Sequence, residues 1–204
     1  MKKTLILMIC TALCTTAISA QSKIGLKAGV SMTNFEIDKD EVDVSNTKAG
    51  FLIGLTSHND LGLVYFESDL LYHRKGAEYE LGSTKVDVNL NYLELPVSFG
   101  VSILATPLHV YGGGYVSYLL KANYDYMDES GNTIATFDNK EAFNNFDLGL
   151  HAGLSLQLNK LIIDARVARG LSEIESDDIV TSTSTYTQND LRNFTLQLSA
   201  SVLF

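Results

Sequence analysis

The chain of 204 residues is short of the features from which most chemical sites are built. Its two cysteines, Cys10 and Cys14, both lie in an apolar N-terminal stretch, so the rest of the chain has no thiol for a disulfide or a thiolate metal site. Positive charge is scarce. Fifteen Lys and Arg face 24 Asp and Glu, a formal net charge of −9, whereas nucleic-acid binding needs the opposite balance. After the N-terminal stretch no apolar run approaches the roughly twenty residues of a membrane helix. Gly112-Gly-Gly114 is no phosphate loop, because neither a helix pattern nor Lys-Ser/Thr follows it. A chain that is 46% hydrophobic without a long run has to spread its apolar residues, as alternating strands do.

That alternation is clearest at the C-terminus. Phe194, Leu196, Leu198, Ala200, Val202 and Phe204 are apolar, with Asn193, Thr195, Gln197, Ser199 and Ser201 between them. A period of two is a strand with one greasy and one wet face. Ending on an aromatic residue, it looks like the last strand of an outer-membrane barrel. The other terminus agrees. Lys2 and Lys3, the apolar Leu5 to Leu13 and the small residues before Gln21 predict a secretory signal peptide over 1–20. Neither cysteine has the setting of a lipoprotein cleavage site. Loss of the two lysines leaves residues 21–204 more acidic still, as one barrel domain.

Eight strand-like segments follow, near 22–33, 49–57, 62–73, 86–101, 108–122, 145–158, 161–171 and 191–204. Their connections alternate. Those at 34–48, 74–85, 123–144 and 172–190 are long, and those at 58–61, 102–107 and 159–160 are short. The expected fold is all-β: an eight-stranded antiparallel up-and-down transmembrane β-barrel with short periplasmic turns and long extracellular loops. Parity assigns the faces. Ile24, Leu26, Ala28 and Val30 face lipid, with Lys27 inside. Leu148, Leu150 and Leu154 face lipid, with Asp147, His151 and Ser155 inside. One strand breaks the rule: Val86, Val88 and Leu90 are even, while Leu93, Leu95, Val97 and Phe99 are odd. A β-bulge near Asn91–Leu93 restores the facing.

Asn91-Tyr-Leu-Glu-Leu-Pro-Val97, Tyr111-Gly-Gly-Gly-Tyr115, Asp164-Ala-Arg166 with Gly170-Leu171, and the terminal Leu203-Phe204 resemble the small outer-membrane β-barrel family that includes the PorT-like proteins. The resemblance implies an eight-stranded barrel in the outer membrane of a Gram-negative bacterium. Its PorT-like members imply, as one alternative, an accessory part in a protein-secretion machine.

An eight-stranded barrel is narrow and filled by side chains. Its inward set holds Lys27, Glu67, Asp69, Glu94, Asp164 and Arg166, and buried charges have to pair. The expected arrangement is a structural plug in which Arg166 and Lys27 meet Glu94, Glu67 or Asp164. His73, His109 and His151 point inward by parity, His151 on the face of Ser155, while His58 falls in a turn. No local motif makes any of them catalytic. Tyr92, Tyr111 and Tyr115 are expected in the lumen, using the space left by Gly112–Gly114.

On the outer wall an upper aromatic ring is expected from Phe51, Tyr72, Tyr118, Phe146 and Phe194, and a lower one from Phe99 and Phe204. Arg74, Arg169 and Arg192 have outward parity near the long loops. There, with Lys48 and Lys75, they are candidates to hold lipopolysaccharide phosphates. The first long loop is acidic (Glu36, Asp38, Asp40, Glu41, Asp43) but lacks the glycine of a calcium hand. Asp128 to Asn132 reads as a turn that carries its flanking strands above the membrane as a hairpin. The chain is thus expected to be a monomeric, non-enzymatic surface barrel without cofactor or metal. It would bind another protein at its loops or contribute to envelope integrity. The rivals are the secretion accessory, a rim-active lipid-modifying enzyme and a soluble lipocalin-like binder.

Overall fold

A computed structural model describes residues 22–36, 46–81, 84–104, 106–127, 133–138, 144–172 and 192–204. The signal peptide expected over 1–20, most of the acidic first loop and residues 173–190 of the last one lie outside them. The strands are β1 (Ser22–Glu36), β2 (Asn46–Asp60), β3 (Val64–Leu81), β4 (Thr84–Ser102), β5 (Leu108–Met127), β6 (Thr133–Asp138), β7 (Phe146–Leu158), β8 (Leu161–Gly170) and β9 (Arg192–Leu203). All pairings are antiparallel, and eight strands close through β1–β9 and β4–β5 into a barrel. The ninth, β6, pairs only with the upper part of β5, Asn123 to Met127. It forms the hairpin expected beyond Asp128–Asn132. Among the described residues no helix is long and apolar enough to cross a membrane.

The pattern inside the barrel wall is inverted relative to a water-soluble protein. Along β8 exposure alternates without a break, with Leu161, Ile163, Ala165, Val167 and Arg169 out and Ile162, Asp164, Arg166 and Ala168 in. Leu26, Val30, Leu55, Leu148, Leu150 and Leu198 are each at least half exposed, while Lys27, Glu67, Asp69, Glu94 and Arg166 are buried. A water-soluble binder would bury the first set. Outward apolar side chains around a whole barrel are stable only against hydrocarbon.

The long loop expected at 74–85 is instead a continuation of the wall. β3 and β4 stay paired up to Leu81 opposite Thr84, with only residues 82 and 83 between them. The bulge expected in β4 is also placed differently. A register shift does occur at Asn91/Tyr92, but the extra residue is Leu120 on β5. Leu120 and Lys121 both face out, between buried Leu119 and Ala122. β4 keeps its pleat throughout, so Val88 and Leu90 are buried inside and Asn91 lies on the outer face. What changes near residue 92 is the solvent. Below it Leu93 and Phe99 meet lipid and Glu94 is enclosed. Above it the strand stands in water, and its apolar residues turn inward as in any soluble sheet.

Three inward tyrosines lie flat across glycines on neighbouring strands. Tyr65 is paired with Gly100, Tyr111 with Gly153 and Tyr115 with Gly149. A Cβ at any of the three glycines would overlap the ring or hydroxyl of its tyrosine. The seats are therefore on β4 and β7 and not, as expected, in Gly112–Gly114. Gly112 has only one heavy atom near its missing Cβ, at 3.7 Å, and Gly113 backs onto His151.

Candidate functional site: the lumen and the upper outer wall

Two ionic layers fill the lumen. In the lower one, Lys27 from β1 reaches β3, with Nζ 2.7 Å from Glu67 Oε1 and 2.8 Å from Asp69 Oδ2. Arg166 from β8 enters from across the barrel, 3.5 Å from Asp69, 3.9 Å from Glu67 and 3.8 Å from Asp164. Tyr111 joins them, with its hydroxyl donating to Asp164 and accepting from Arg166 Nε at 3.1 Å. Lys27, Glu67, Asp69, Asp164 and Arg166 are thus brought together, but Glu94 is not among them. His58, expected in a turn, lies in β2 and points into the lumen, with Nδ1 3.1 Å from Glu67 Oε2. Its ring stacks on Tyr65 at 4.8 Å, and His109 meets the same tyrosine edge-on at 5.3 Å.

Glu94 anchors the upper layer. Its Oε2 takes Lys75 Nζ at 2.8 Å and Ser117 Oγ at 3.1 Å, and His73 Nδ1 lies 3.2 Å away. Lys75, a candidate for lipid phosphate in the sequence, is inside the barrel. It lies 3.6 Å from Asp147 and over the rings of Tyr115 and Tyr92, at 4.8 and 5.2 Å. The parity of Glu67, Asp69, Leu71 and His73, carried one step further, reaches it. Leu71, between Asp69 and His73 on β3, and Leu52, opposite His73 on β2, are both buried.

Ser31, His73 and Glu94 have the connectivity of a hydrolytic triad. His73 Nε2 is 3.0 Å from Ser31 Oγ, and Nδ1 faces the carboxylate. All three are at most 2% exposed. A triad works only beside a space for substrate, and these three side chains are shut off from solvent. His151 binds Ser98 Oγ at 2.8 Å rather than Ser155, which faces Tyr65. Among the described residues no cluster of His, Cys, Asp or Glu could hold a metal ion.

Outside, Phe51 and Tyr72 form one tilted pair at 6.0 Å, and Tyr118 and Phe146 an edge-on pair at 5.2 Å. Phe66 and Phe99, 5.0 Å apart, mark the other border of the greasy belt together with exposed Phe204. Immediately above the first ring Arg74 is exposed, opposite Phe51 on one side and Asn91 on the other. Its Nε and Nη2 both donate to Asn89 Oδ1, at 3.1 and 2.7 Å, and Lys48 Nζ donates to the same oxygen at 2.7 Å. Arg169 projects from β8, on the opposite wall, beside Phe194. The side chain of Arg192 lies outside the described residues. One phosphate group therefore cannot be shared by the three arginines.

The family model described as outer membrane protein beta-barrel domain matches residues 19–176. The chain belongs to that family. Among solved structures, Neisserial surface protein A is similar at 15% identity with a TM-score of 0.52, covering 89% of this chain and 97% of its own. Ail, the attachment invasion locus protein of Yersinia pestis, aligns over 90% of this chain and 99% of its own at 16% identity, with a TM-score of 0.49. At such identities the likeness is one of fold. No curated protein matches the sequence. Membership places the barrel in the outer membrane of a Gram-negative bacterium and gives the belt its solvent. Leu26, Leu55 and Leu148 meet acyl chains, and the aromatic pairs lie at the two interfaces.

Proposed function

We propose that the protein is a non-enzymatic surface barrel that binds a molecule outside the cell or braces the envelope. One observation carries this reading. The interior is packed shut, while β3, β4, β5 and β6 extend paired backbone above the aromatic ring. A lumen in which Lys27, Lys75, Tyr92 and Arg166 leave almost nothing for a water-sized sphere to touch does not suit a diffusion pore. The extended sheet instead presents strand backbone and polar loops, the parts from which strand-adding and loop-mediated recognition are built. One specific observation favours a second reading, a lipid-modifying enzyme: the Ser31–His73–Glu94 array. Its burial argues against it.

The test compares intact cells displaying the wild type with cells in which a short Gly-Ser linker replaces residues 128–138. Surface photo-crosslinking is expected to yield an adduct that the shortened variant loses. The bracing form of the proposal predicts instead a leaky envelope on deletion of the gene. Purified protein is expected to give no steady conductance in planar bilayers and no labelling of Ser31 by a serine-reactive fluorophosphonate. Steady conductance or labelled Ser31 would overturn the proposal. Co-purification with the components of a secretion machine would move it to the PorT-like alternative.

A further inference from the structure

Two cations on the outer wall converge on one neutral atom. Asn89 Oδ1 receives Lys48 Nζ and the Nε–Nη2 edge of Arg74, so the two cationic nitrogens at 2.7 Å lie no more than about 5.4 Å apart. An amide oxygen accepts the hydrogen bonds of the Arg74 guanidinium without cancelling its charge. Asn89 is itself buried, so the pair is held on a fixed post rather than on a mobile side chain. The stem of Lys48 lies across Gly76, where a side chain would collide with it. Lys121 stands in the same outward row, opposite Asn91, which also accepts the Tyr72 hydroxyl at 2.8 Å.

Arginine has five N–H donors in a planar fork. Asn89 occupies the side edge of Arg74 and leaves the end-on edge, Nη1 and Nη2. Among the described residues Nη1 has no hydrogen-bond partner. Arg74 is exposed, so its guanidinium can be reached from outside the wall. Lys48 and Lys121 make further contacts of their own, so the ligand-facing group is the end-on edge of Arg74, with Lys48 adding positive charge beside it. Its depth is set by register. The cations begin one step above Tyr72 and opposite Phe51, where acyl chains give way to headgroups. A planar fork already oriented at that depth, with a lysine beside it, is built for a tetrahedral oxyanion.

We infer that the outer face of β2, β3 and β4 holds a phosphate of an outer-leaflet glycolipid, gripped by the end-on edge of Arg74 beside Lys48, with Asn89 as the positioning residue. The site recognises a phosphomonoester on a lipid. The aromatic ring beneath it supplies the apolar contact that a soluble anion lacks.

The experiment titrates the full-length protein, purified in detergent, with phosphorylated lipid A, dephosphorylated lipid A and inorganic phosphate. Binding is read by native mass spectrometry. The phosphorylated lipid is expected to bind, and Arg74→Gln to weaken it at least tenfold while the protein keeps its heat-modifiable gel mobility. The dephosphorylated lipid is expected to bind the wild type no better than the phosphorylated lipid binds the variant. Inorganic phosphate should be weaker than the phosphorylated lipid by a hundredfold or more. If Arg74→Gln does not reach the folded form, Arg74→Lys, which keeps the charge and loses the fork, is expected to weaken binding in the same direction. Equal binding of the two lipids, unchanged binding by the folded variant, or free phosphate as tight as the lipid would each overturn the inference.

Discussion

Replacing Lys27 by Met tests the lumen most directly. Methionine keeps most of the volume and removes the charge. Glu67 and Asp69 would then lose partners at 2.7 and 2.8 Å. They would share one guanidinium, Arg166, at 3.9 and 3.5 Å, which also serves Asp164 at 3.8 Å. Removing one partner of a buried ion pair costs about 3–5 kcal/mol, because the orphaned charge stays out of water. With a urea dependence typical of small proteins, the unfolding midpoint should fall by roughly 1–5 M. The assay is urea unfolding in lipid vesicles, followed by heat-modifiable gel mobility. The double variant Lys27→Met/Glu67→Gln discharges the orphan and is expected to recover more than half of the loss. A midpoint for Lys27→Met equal to the wild type, or a double variant no better than the single one, would refute the reasoning. In the first case the layer would be solvated, and in the second the loss would come from packing.

Three further outcomes follow from the same geometry. Gly149→Ala and Gly153→Ala should each destabilise by about 1–3 kcal/mol, because the new methyl meets the Tyr115 ring or the Tyr111 hydroxyl. Gly112→Ala, with 3.7 Å of room, should be nearly neutral by the same urea assay. Leu55→Arg places a cation on the greasy belt between Phe51 and the lower turn, at an expected cost of about 2–4 kcal/mol, measurable in vesicles of defined thickness. Replacing residues 128–138 should leave the heat-modifiable shift of the barrel intact, since β5 pairs with β7 through Leu108–Tyr118, below β6.

Much of the fold was legible because the strand period is two and the lipid-facing set is apolar on strand after strand. β1, β7 and β8 could be assigned face by face from Leu26, Leu150 or Val167 alone. The lumen was half legible. Parity puts Lys27, Glu67, Asp69, Asp164 and Arg166 on inner faces, and counting up from the short turns brings Lys27, Glu67 and Arg166 to similar heights. The partner of Glu94 is not legible, because Lys75 falls in the stretch at 74–85 that reads as a loop. β3 runs nine residues beyond the last aromatic of its greasy face, Tyr72, to the end of its paired stretch at Leu81 opposite Thr84. Nothing in the hydropathy marks a strand that continues in water. The phase change in β4 is legible in the sequence, but its cause is not. An apolar set that shifts from odd to even residues can mean a bulge or a change of surroundings, and a single strand cannot tell them apart. Its neighbour can: Leu120 and Lys121, facing the same way, are the irregularity. The triad-like array was out of reach, because Ser31, His73 and Glu94 meet only through cross-strand register.

The reversal along β4 also works as a depth gauge. Each residue advances a strand by about 3.3 Å, and the exchange from Leu93 to Asn91 on the outer face takes a single side-chain step. If the molecule sank by that step, Asn91 and Lys121 would enter oil. If it rose, Tyr72 and Leu93 would be left in water. The vertical position of the barrel is therefore pinned by its own composition to within one rung, and the hairpins above stand at a fixed height over the cell surface.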